Sequence, residues 1–541
     1  MAEEDLIFGR NRHLFGGIAP SNMLKFTVTR VNGNIQITAQ IPKNTMVDGQ
    51  LLCSVGGAVI RRCEDHYPKD EFDGAFVEEI TDSEIVTITD SEASTSVVHF
   101  YAAFPYSMQG VYNRSPKNRA AYLHPTVGYY YGFDLDLTDS NPATRVTYPS
   151  DVGNADYTPA GMNFSTKTFS YGGWPSAAGS DFMPKPCILK GDGTVQSYLN
   201  SSDYTKTVDG ADSSIASLSY MMANKKNAMM EWPKIYTHRE VVNNVYKFRC
   251  SDKPLGDDWD CWCNYDIDNN EIDHFYTAIY PAYITGSGDT LLPISMSGRD
   301  ISTYSSFASS PYYIYNYPKK VGSDWNVEVL ADRLLIQDLL VMMAKTTDGQ
   351  AAYGYSYGDT TSNTGFHDKK GLFYGHGKSE SGTTGPVKVF GMEGFFGWCG
   401  RLIAGLLLDG SDIKVKLTSG THDGSSVTDY NTTGDGYITI ASLADYMSTV
   451  GSYSGYISGA INKSFGRIPI LKDGSSSTYE CDTLNYFRAS SGSPKYPYVG
   501  GSYSSVESTV LANGPFNINM TQSTSDSSTW GVVALSCKPT K

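Results

Sequence analysis

Basic residues are scarce in this sequence and form no continuous stripe. The 541 residues include 42 lysines and arginines against 57 aspartates and glutamates, which gives a formal net charge of -15 at pH 7. Basic residues come at most as isolated pairs, such as Arg61-Arg62. Because proteins bind nucleic acid largely by neutralising its phosphates, we expect no nucleic-acid partner.

Long apolar runs are also missing. The longest, residues 402–408, is far shorter than the roughly 20 residues that cross a bilayer. The first residues, Met1 to Ile7, lack the charged and apolar regions of a secretory signal peptide. We therefore expect a chain that is made in a cytoplasm without export and that does not insert into a membrane.

The nine cysteines are too sparsely spaced for a disulfide framework. Cys261 and Cys263 form a CxC pair, but no second pair follows at the spacing of a zinc ribbon. The sequence therefore predicts no metal site at these cysteines. Most of the nine thiols are expected to be reduced, buried, small apolar groups.

No constellation of catalytic residues stands out. Residues 354–358 match GxSxG by letter, but they lie in a stretch rich in glycine, serine and tyrosine. That stretch lacks the preceding strand and following helix that expose a nucleophilic serine. The nine histidines follow no triad pattern. We therefore predict a protein that is not an enzyme.

Acidic residues cluster at residues 257–273. Within this cluster, residues 266–270 begin like a calcium loop, but Glu271 stands where the turn needs glycine. Residues 429–434 begin in the same way, but Ile440 stands where a bidentate glutamate is needed. Solvated turns are the preferred interpretation; bound calcium stays an open alternative, and no other cofactor is expected. Two of the clustered carboxylates could also be a glycosidase pair, which needs a separation of about 5–10 Å.

Apolar residues, glycine and tyrosine are what the sequence has in quantity. The apolar share is 40% and the charged share 18%, which suits packed cores and argues against general disorder. The length suits roughly three or four domains. The 39 tyrosines and 53 glycines fit either a tyrosine-rich binding surface or a β-rich protein with many turns.

Short alternating segments near the start predict an antiparallel β-sandwich over residues 21–118. Residues 24–29 and 34–39 flank Asn32-Gly33, a strong hairpin signal. The further predicted strands are residues 57–62, 84–89 and 96–106. Residues 97–107 resemble the late strand of a fibronectin type III-like module, in which an aromatic-rich strand leads into a turn containing proline. That resemblance implies a spacer or binding unit without catalysis.

From Thr147 onward the patterns indicate a mixed α/β region. A short helix is predicted at residues 213–224. Residues 325–345, with Ser323 or Asp324 as N-cap, carry apolar side chains around much of the helix circumference and predict a longer, buried helix. Residues 348–382 are rich in glycine, serine, tyrosine and aspartate and predict long surface loops.

Residues 387–398 combine closely spaced glycines with aromatic residues, which predicts tight turns around a packed aromatic core. Together with the C-terminal tract, residues 487–539, they resemble the C-type-lectin-like fold of phage tropism proteins, which are related to formylglycine-generating enzymes. Residues 222–236, and more weakly residues 270–276, resemble earlier segments of such proteins. The resemblance implies a phage virion protein whose C-terminal domain binds the host surface. The reactive cysteines of the enzyme branch are not reproduced here, so that activity is not carried over.

The resemblance also implies which residues contact a receptor. Residues 516–520 alternate strictly, which predicts buried Phe516, Ile518 and Met520 and outward-facing Asn517 and Asn519. The predicted receptor-binding residues are Tyr496, Tyr498, Tyr503, Ser504, Ser505, Asn517 and Asn519. The alternative is that the tyrosines pack on neighbouring loops or on a second subunit.

The resulting hypothesis is a multidomain receptor-binding protein of the virion, of the tail fibre type. It has a virion-attachment leader (1–20), a fibronectin III-like β-sandwich (21–118), a connector with a β-strand (119–160) and an α+β C-type-lectin-like domain (161–541). The expected partners are a host surface glycan or protein, other virion proteins through the N-terminus, and further copies of the chain in a homotrimer. The alternatives are a head fibre or capsid decoration protein without receptor specificity and a surface-polysaccharide depolymerase.

Overall fold

Strands dominate the structure of this chain, and helices are few. The computed structural model describes residues 18–31, 34–47, 49–94, 97–122, 128–286, 290–301, 311–356, 363–378, 385–488, 494–501, 513–523 and 531–540. The chain divides into a first unit, Met1–Tyr130 with Pro254–Trp259, and a second unit, Tyr131–Lys253 with Asp260–Lys541. The prediction of a β-rich multidomain protein is confirmed.

The first unit is built from short antiparallel strands. Its strands are β1 (Lys25–Val31), β2 (Asn34–Gln40), β3 (Thr45–Val47), β4 (Gln50–Cys53), β5 (Val55–Cys63), β6 (Ala75–Ile80), β7 (Val86–Asp90), β8 (His99–Ser107) and β9 (Arg119–Tyr122), with a 3-10 turn at Pro116–Asn118. One sheet has the order β1-β2-β7 and another the order β6-β5-β8-β9, while β3 and β4 form a separate hairpin. Residues from both larger sheets share one buried core.

Alternation in the sequence explains this core. Along β2, Ile35, Ile37 and Ala39 are buried while the residues between them are less buried, because successive strand side chains point to opposite faces.

A buried carboxylate connects the two sheets of the first unit by hydrogen bonds. The Asp90 carboxylate, at the end of β7, accepts two hydrogen bonds from Arg62 of β5 (2.7 and 2.6 Å) and one from the Tyr101 hydroxyl of β8 (2.9 Å).

The second unit begins with strands separated by turns. They are β10 (Tyr130–Asp136), β11 (Val146–Thr147), β12 (Gly161–Asn163), β13 (Thr168–Ser170), β14 (Lys185–Leu189), β15 (Val195–Asn200), β16 (Asp203–Thr207), β17 (Asn227–Pro233), β18 (Tyr236–Val242), β19 (Val245–Ser251), β20 (His274–Ala278), β21 (Tyr283–Thr285) and β22 (Leu292–Ile294). Helix α1 (Leu218–Met222) and a 3-10 turn (Ala223–Lys225) lie between β16 and β17.

The rest of the unit contains three helices followed mainly by strands. In chain order these elements are α2 (Pro311–Val321), β23 (Trp325–Val327), α3 (Leu330–Ala344), α4 (Gly349–Tyr353), β24 (Lys388–Val389), β25 (Met392–Glu393), β26 (Gly400–Leu402), β27 (Leu406–Asp409), β28 (Asp412–Val415), β29 (Ile438–Ser442), a 3-10 turn (Leu443–Asp445), β30 (Gly451–Tyr456), β31 (Gly459–Lys463), β32 (Gly466–Leu471), β33 (Thr483–Arg488), β34 (Lys495–Val499), β35 (Ile518–Ser523), β36 (Gly531–Val533) and β37 (Leu535–Cys537).

Three larger sheets organise the second unit. A four-stranded sheet has the order β11-β10-β19-β18, and a seven-stranded sheet has the order β16-β15-β14-β17-β20-β37-β23. A nine-stranded sheet has the order β29-β28-β27-β34-β35-β33-β30, with β26 pairing to both β34 and β36. The late strand β37 thus lies between β20 and β23 and joins the edge strand β23 to the rest of the seven-stranded sheet.

A buried helix was predicted at residues 325–345, and helix α3 (Leu330–Ala344), buried along its whole length, confirms that prediction for most of this range. Its predicted start is wrong. Trp325–Val327 forms β23 and pairs with β37, and the N-cap is Val329, whose side chain makes no capping bond. The aromatic and β-branched residues of this segment complete a sheet edge, and that pairing overrides the capping signal at residues 323–324.

Two other predictions are confirmed only in part. The helix predicted at residues 213–224 is present only from Leu218, since Ser214 has a φ of 57°, outside the right-handed helical region.

The predicted surface loop at residues 348–382 is wrong for most of its described part. Residues 372–377 are buried, and the Phe373 ring stacks on Phe169 with centroids 4.3 Å apart. The aromatic side chains of this stretch are buried in the protein, although its many glycine and polar residues are typical of surface turns.

The predicted tight turns at residues 387–398 are confirmed. Gly391 and Gly394 have φ values of 81° and 67°, a region that glycine enters without steric cost, and Phe395 and Phe396 are fully buried beside them.

All nine cysteines are free and buried, as predicted. Among the described residues, no helix is long and apolar enough to cross a membrane.

A partly buried ion pair makes one pH-dependent contribution to the stability of the second unit. The hydrogen bond to Asp260 (2.9 Å) raises the pKa of His422 above its ordinary value, although partial burial opposes this shift. Since the folded pKa lies above the unfolded value of about 6.5, the stabilisation is fully present below that value and is lost as the pH rises through the folded pKa.

We therefore expect Asp260→Asn to lower the pKa of His422 and to destabilise the protein by about 0.5–1 kcal/mol at about pH 5.5, with almost no effect at about pH 9. NMR titration of His422 and urea unfolding at both pH values measure these effects. An equal loss of stability at both pH values would contradict this assignment.

Candidate functional site

Three neighbouring strands of the nine-stranded sheet alternate between buried and accessible side chains. The buried side chains are Tyr453 of β30, Leu484 and Tyr486 of β33, and Ile518 and Met520 of β35. β33 pairs antiparallel with β30 and parallel with β35, which aligns Ser454, Asn485 and Asn519 across the three strands. Because residues in register point to the same side of a sheet, the intervening residues form one opposite face.

This opposite face carries small polar side chains and one aromatic ring. We name it the polar sheet face; its residues are Ser452, Ser454, Asn485, Phe487, Asn519 and Thr521. Ser452, Ser454 and Phe487 are exposed, and the other three are half-buried. Ser452 and Phe487 are register partners, so the ring lies in the row beside the one formed by Ser454, Asn485 and Asn519.

Hydrogen bonds orient the amides of this face. The Ser452 hydroxyl donates to Asn485 Oδ1 (3.2 Å), and the backbone N–H and hydroxyl of Thr521 donate to Asn519 Oδ1 (3.1 and 2.7 Å). The ammonium group of Lys495 lies 5.3 Å from the centre of the Phe487 ring. The six residues include no carboxylate, so this face offers hydroxyls, amides, an aromatic ring and a neighbouring positive charge.

Such a face offers groups that can bind a ligand. Asparagine amides both donate and accept hydrogen bonds, and serine and threonine hydroxyls do the same. An exposed ring adds apolar contact area with few rotatable bonds. Burial raises the pKa of Tyr453 and Tyr486 on the other side of the sheet, so these phenols stay neutral. The arrangement suits a ligand rich in hydroxyl groups.

The predicted tyrosine contacts are buried. Tyr496 and Tyr498 are 1% and 4% exposed and belong to a core cluster that also includes residues of the seven-stranded sheet. The Tyr496 hydroxyl donates to the carbonyl of Thr432 (2.8 Å). The β34–β35 register shifts between these two tyrosines, at Pro497, which has no N–H to donate to a neighbouring strand. Their predicted exposure is therefore corrected, and the contact of Tyr496 with Thr432 fits the alternative that the tyrosines pack on neighbouring loops.

The prediction for residues 516–520 is confirmed in part. Phe516, Ile518 and Met520 are buried, as expected, and Asn519 lies on the polar sheet face. The predicted exposure of Asn517 is wrong. Asn517 is 6% exposed, and its amide donates to the backbone carbonyl and hydroxyl of Thr483 (3.0 and 2.9 Å). Tyr503, Ser504 and Ser505 lie outside the described residues.

Five of the six face residues were not among the predicted contacts. Ser452 and Ser454 alternate with Tyr453, and Asn485 and Phe487 alternate with Tyr486, so each strand carries a period-2 signal. Nothing in the sequence indicates that these two segments pair with each other and with β35. The missing information is the strand order, which depends on tertiary packing.

The acidic cluster at residues 257–273 contributes to turns and ion pairs. The Asp266 carboxylate is buried and accepts from the backbone N–H groups of Asp268 and Asn270 (3.0 and 2.8 Å). Glu271 pairs with Lys234 (3.1 Å). In the part of the chain that the structure describes, ligand atoms of three metal-binding side chains come within 4.8 Å of one another at residues 63–73, and no such group forms at the acidic cluster.

The GxSxG match does not present a nucleophile. Ser356 is 1% exposed, and its hydroxyl donates to the carbonyl of Gly385 (3.3 Å). The last two residues of the match lie outside the described residues.

In comparisons with known proteins, no family model and no curated protein matches this chain.

Proposed function

We propose that this chain is a phage virion protein that binds the host cell surface through the polar sheet face of its second unit. The observation that carries the proposal is the accessible row of Ser454, Asn485 and Asn519 beside the exposed ring of Phe487. Hydroxyl and amide groups next to an apolar ring suit a surface glycan, whose sugar rings have polar edges and apolar faces. A host protein receptor is the alternative ligand.

The strand order of the first unit supports a fibronectin III-like spacer. Its sheets, β1-β2-β7 and β6-β5-β8-β9, contain three and four antiparallel strands around one core. The chain crosses between the two sheets from β2 to β5, from β6 to β7 and from β7 to β8, as in Greek-key sandwiches. Such a unit can hold a binding domain away from the particle without contributing chemistry.

Two features support the assignment of the second unit as C-type-lectin-like. The segments on which the resemblance depends fall in this unit: residues 227–233 form β17, and residues 387–398 form a buried aromatic turn. The guanidinium of Arg333, in the buried helix α3, lies 3.8 Å from the centre of the Phe395 ring in that turn. This contact joins the buried helix to the buried turn.

The proposal includes two assembly steps. Residues 1–20 attach the chain to other virion proteins, and three copies associate into a homotrimer. Because several weak sites on one particle bind together more tightly than one site alone, a trimer would raise the avidity for a repetitive surface. Light scattering of the purified chain measures the oligomer, and imaging of virions locates the protein on tail or capsid.

The binding prediction concerns Phe487 and the two face asparagines. The full chain is expected to bind cells of a susceptible host. Phe487→Ala and the double variant Asn485→Ala/Asn519→Ala should each weaken that binding at least about 10-fold, because central contacts of an interface carry most of its free energy. Binding is measured by flow cytometry on whole cells and by titration with purified envelope glycans. Thermal unfolding of each variant checks that it folds.

The matched control is Phe366→Ala. Phe366 is 40% exposed, close to the 37% of Phe487, and it belongs to the same unit but to none of the three face strands. Its replacement should leave binding unchanged. If the wild-type chain binds but both face variants bind equally well, the site lies elsewhere. If the wild-type chain binds no host cell or glycan, a decoration protein becomes the better description, and release of soluble sugar from host capsule would indicate a depolymerase.

A further inference from the structure

Cys63, His66 and Asp73 lie together at one end of the first unit. Cys63 is the last residue of β5, and residues 64–74 fold back beside it before β6 begins. One ligand atom from each side chain lies within 4.8 Å of the other two. The sulfur, nitrogen and oxygen atoms come from residue types that bind zinc.

The loop is shaped to bring these three side chains together. Gly74 has a φ of 83°, and a Cβ at this position would lie 2.5 Å from Cys63 Sγ. Only a residue without a side chain allows the loop to approach the sulfur in this way. Glu71 anchors the loop, because its buried carboxylate accepts two hydrogen bonds from Arg114 (2.9 and 2.6 Å) and its backbone carbonyl accepts one from Arg61 (2.6 Å).

The histidine is oriented as metal-binding histidines are. Its Nδ1 lies 2.7 Å from the Asp65 carboxylate, and its Nε2 faces Asp73 Oδ2 at 3.1 Å. A carboxylate bonded to one ring nitrogen fixes the tautomer and leaves the other nitrogen for a metal. The backbone N–H of Lys69 donates to Asp73 Oδ2 (2.9 Å), which positions the second carboxylate.

We propose that Cys63, His66 and Asp73 bind one zinc ion that fastens residues 64–74 to the end of β5. Zinc prefers four ligands in a tetrahedron, so these three side chains leave one position for water. Ligand atoms on one zinc lie about 3–4 Å apart, so binding requires them to approach by about 1 Å and replaces the contact between His66 and Asp73. The Cys63 thiol loses its proton on binding. The His66 and Asp73 side chains are 39% and 28% exposed, which gives the ion a path to the site.

The test is a zinc titration of the full chain after treatment with a chelator. In competition with a chromophoric chelator, the wild-type protein should bind one equivalent of Zn²⁺. Cys63→Ser and Asp73→Asn should each lower the affinity at least about 100-fold, and Asp65→Asn should lower it about 10-fold. Cobalt in place of zinc should give the absorption of a tetrahedral site with a thiolate-to-metal band, which Cys63→Ser abolishes. Saturating Zn²⁺ should raise the unfolding temperature of the wild-type first unit.

The controls separate this site from adventitious binding. Cys53→Ser removes another buried thiol of the same unit, whose Sγ donates to the Ile18 carbonyl, and Asp70→Asn removes a carboxylate from the same loop. Both variants should keep one zinc with unchanged affinity. Absence of stoichiometric binding, or retention of the zinc in Asp73→Asn and Cys63→Ser, would overturn the proposal. If Cys63→Ser does not fold, the near-isosteric Asp73→Asn decides the question.

Discussion

Replacing Glu328 by alanine is expected to destabilise the second unit by about 3–5 kcal/mol. The Glu328 carboxylate lies between two arginines, 3.3 Å from Arg333 Nη1 and 3.0 Å from Arg401 Nη1. The side chains of all three residues are at most 3% exposed. Without the carboxylate, two positive charges stay buried beside each other after losing the ion-pair partner that they share, and water cannot reach them without opening the core.

The two arginines hold distant parts of the chain together. Arg333 donates to the carbonyls of Phe395 (2.8 Å) and Pro515 (3.0 Å), and Arg401 donates to those of Gly394 (2.9 Å) and Glu393 (2.8 Å). Burial lowers the pKa of Arg333 to about 10, so it stays protonated at neutral pH. The loss of Glu328 therefore weakens the aromatic turn at residues 387–398 as well as the ion pairs themselves.

Urea unfolding followed by tryptophan fluorescence measures this effect. Six of the seven tryptophans belong to the second unit, and Trp259 belongs to the first, so the signal reports mainly on the second unit. The control is Asp409→Ala, which breaks a partly exposed ion pair with Lys414 (2.7 Å) and should cost about 0–1 kcal/mol. A loss for Glu328→Ala no larger than that of the control would show that the cluster is not a structural centre.

Local patterns predicted elements well where a single side-chain period decides the structure. The strands β1 and β2 follow from alternation alone, and the apolar run of α3 follows from its density of leucine, valine and methionine. The start of α3 was missed because Trp325 and Val327 join a strand that lies about 210 residues later in the sequence, β37. Such a partner leaves no signal in the segment itself.

The candidate site was harder to predict than the fold for the same reason. Of the predicted residues within the described chain, only Asn519 lies on the polar sheet face. The tyrosines of β34 were misread because tyrosine suits both a binding surface and a half-polar core, and composition does not distinguish the two. The difference arises from neighbours: Tyr498 is the register partner of Asn519, yet β26 and β36 bring Gly400 and Gly531 against its ring.

The packing of Tyr498 against Gly531 leads to the second large expected effect. A Cβ on Gly531 would lie 1.9 Å from Cε1 of Tyr498, so Gly531→Ala should destabilise the protein by about 1–3 kcal/mol or more. Tyr498→Ala should cost about 3–5 kcal/mol, because it leaves a cavity between β34 and β36. The double variant should lose less stability than the sum of the two single losses, by about 1–3 kcal/mol, since the new methyl group enters the space that the ring left.

This double-mutant cycle also separates the two roles considered for Tyr498. An exposed receptor contact would make each single variant nearly neutral in stability, within about 0.5 kcal/mol, and the pair additive. The matched control is Gly161→Ala in β12, where the nearest atom to the added Cβ is 3.6 Å away and no clash occurs. Urea unfolding of the four proteins gives the coupling free energy. A double-variant loss that falls about 1–3 kcal/mol short of the sum assigns Tyr498 to the scaffold that supports the polar sheet face. Asn485, Phe487 and Asn519 are then the residues whose loss should change binding without unfolding the protein.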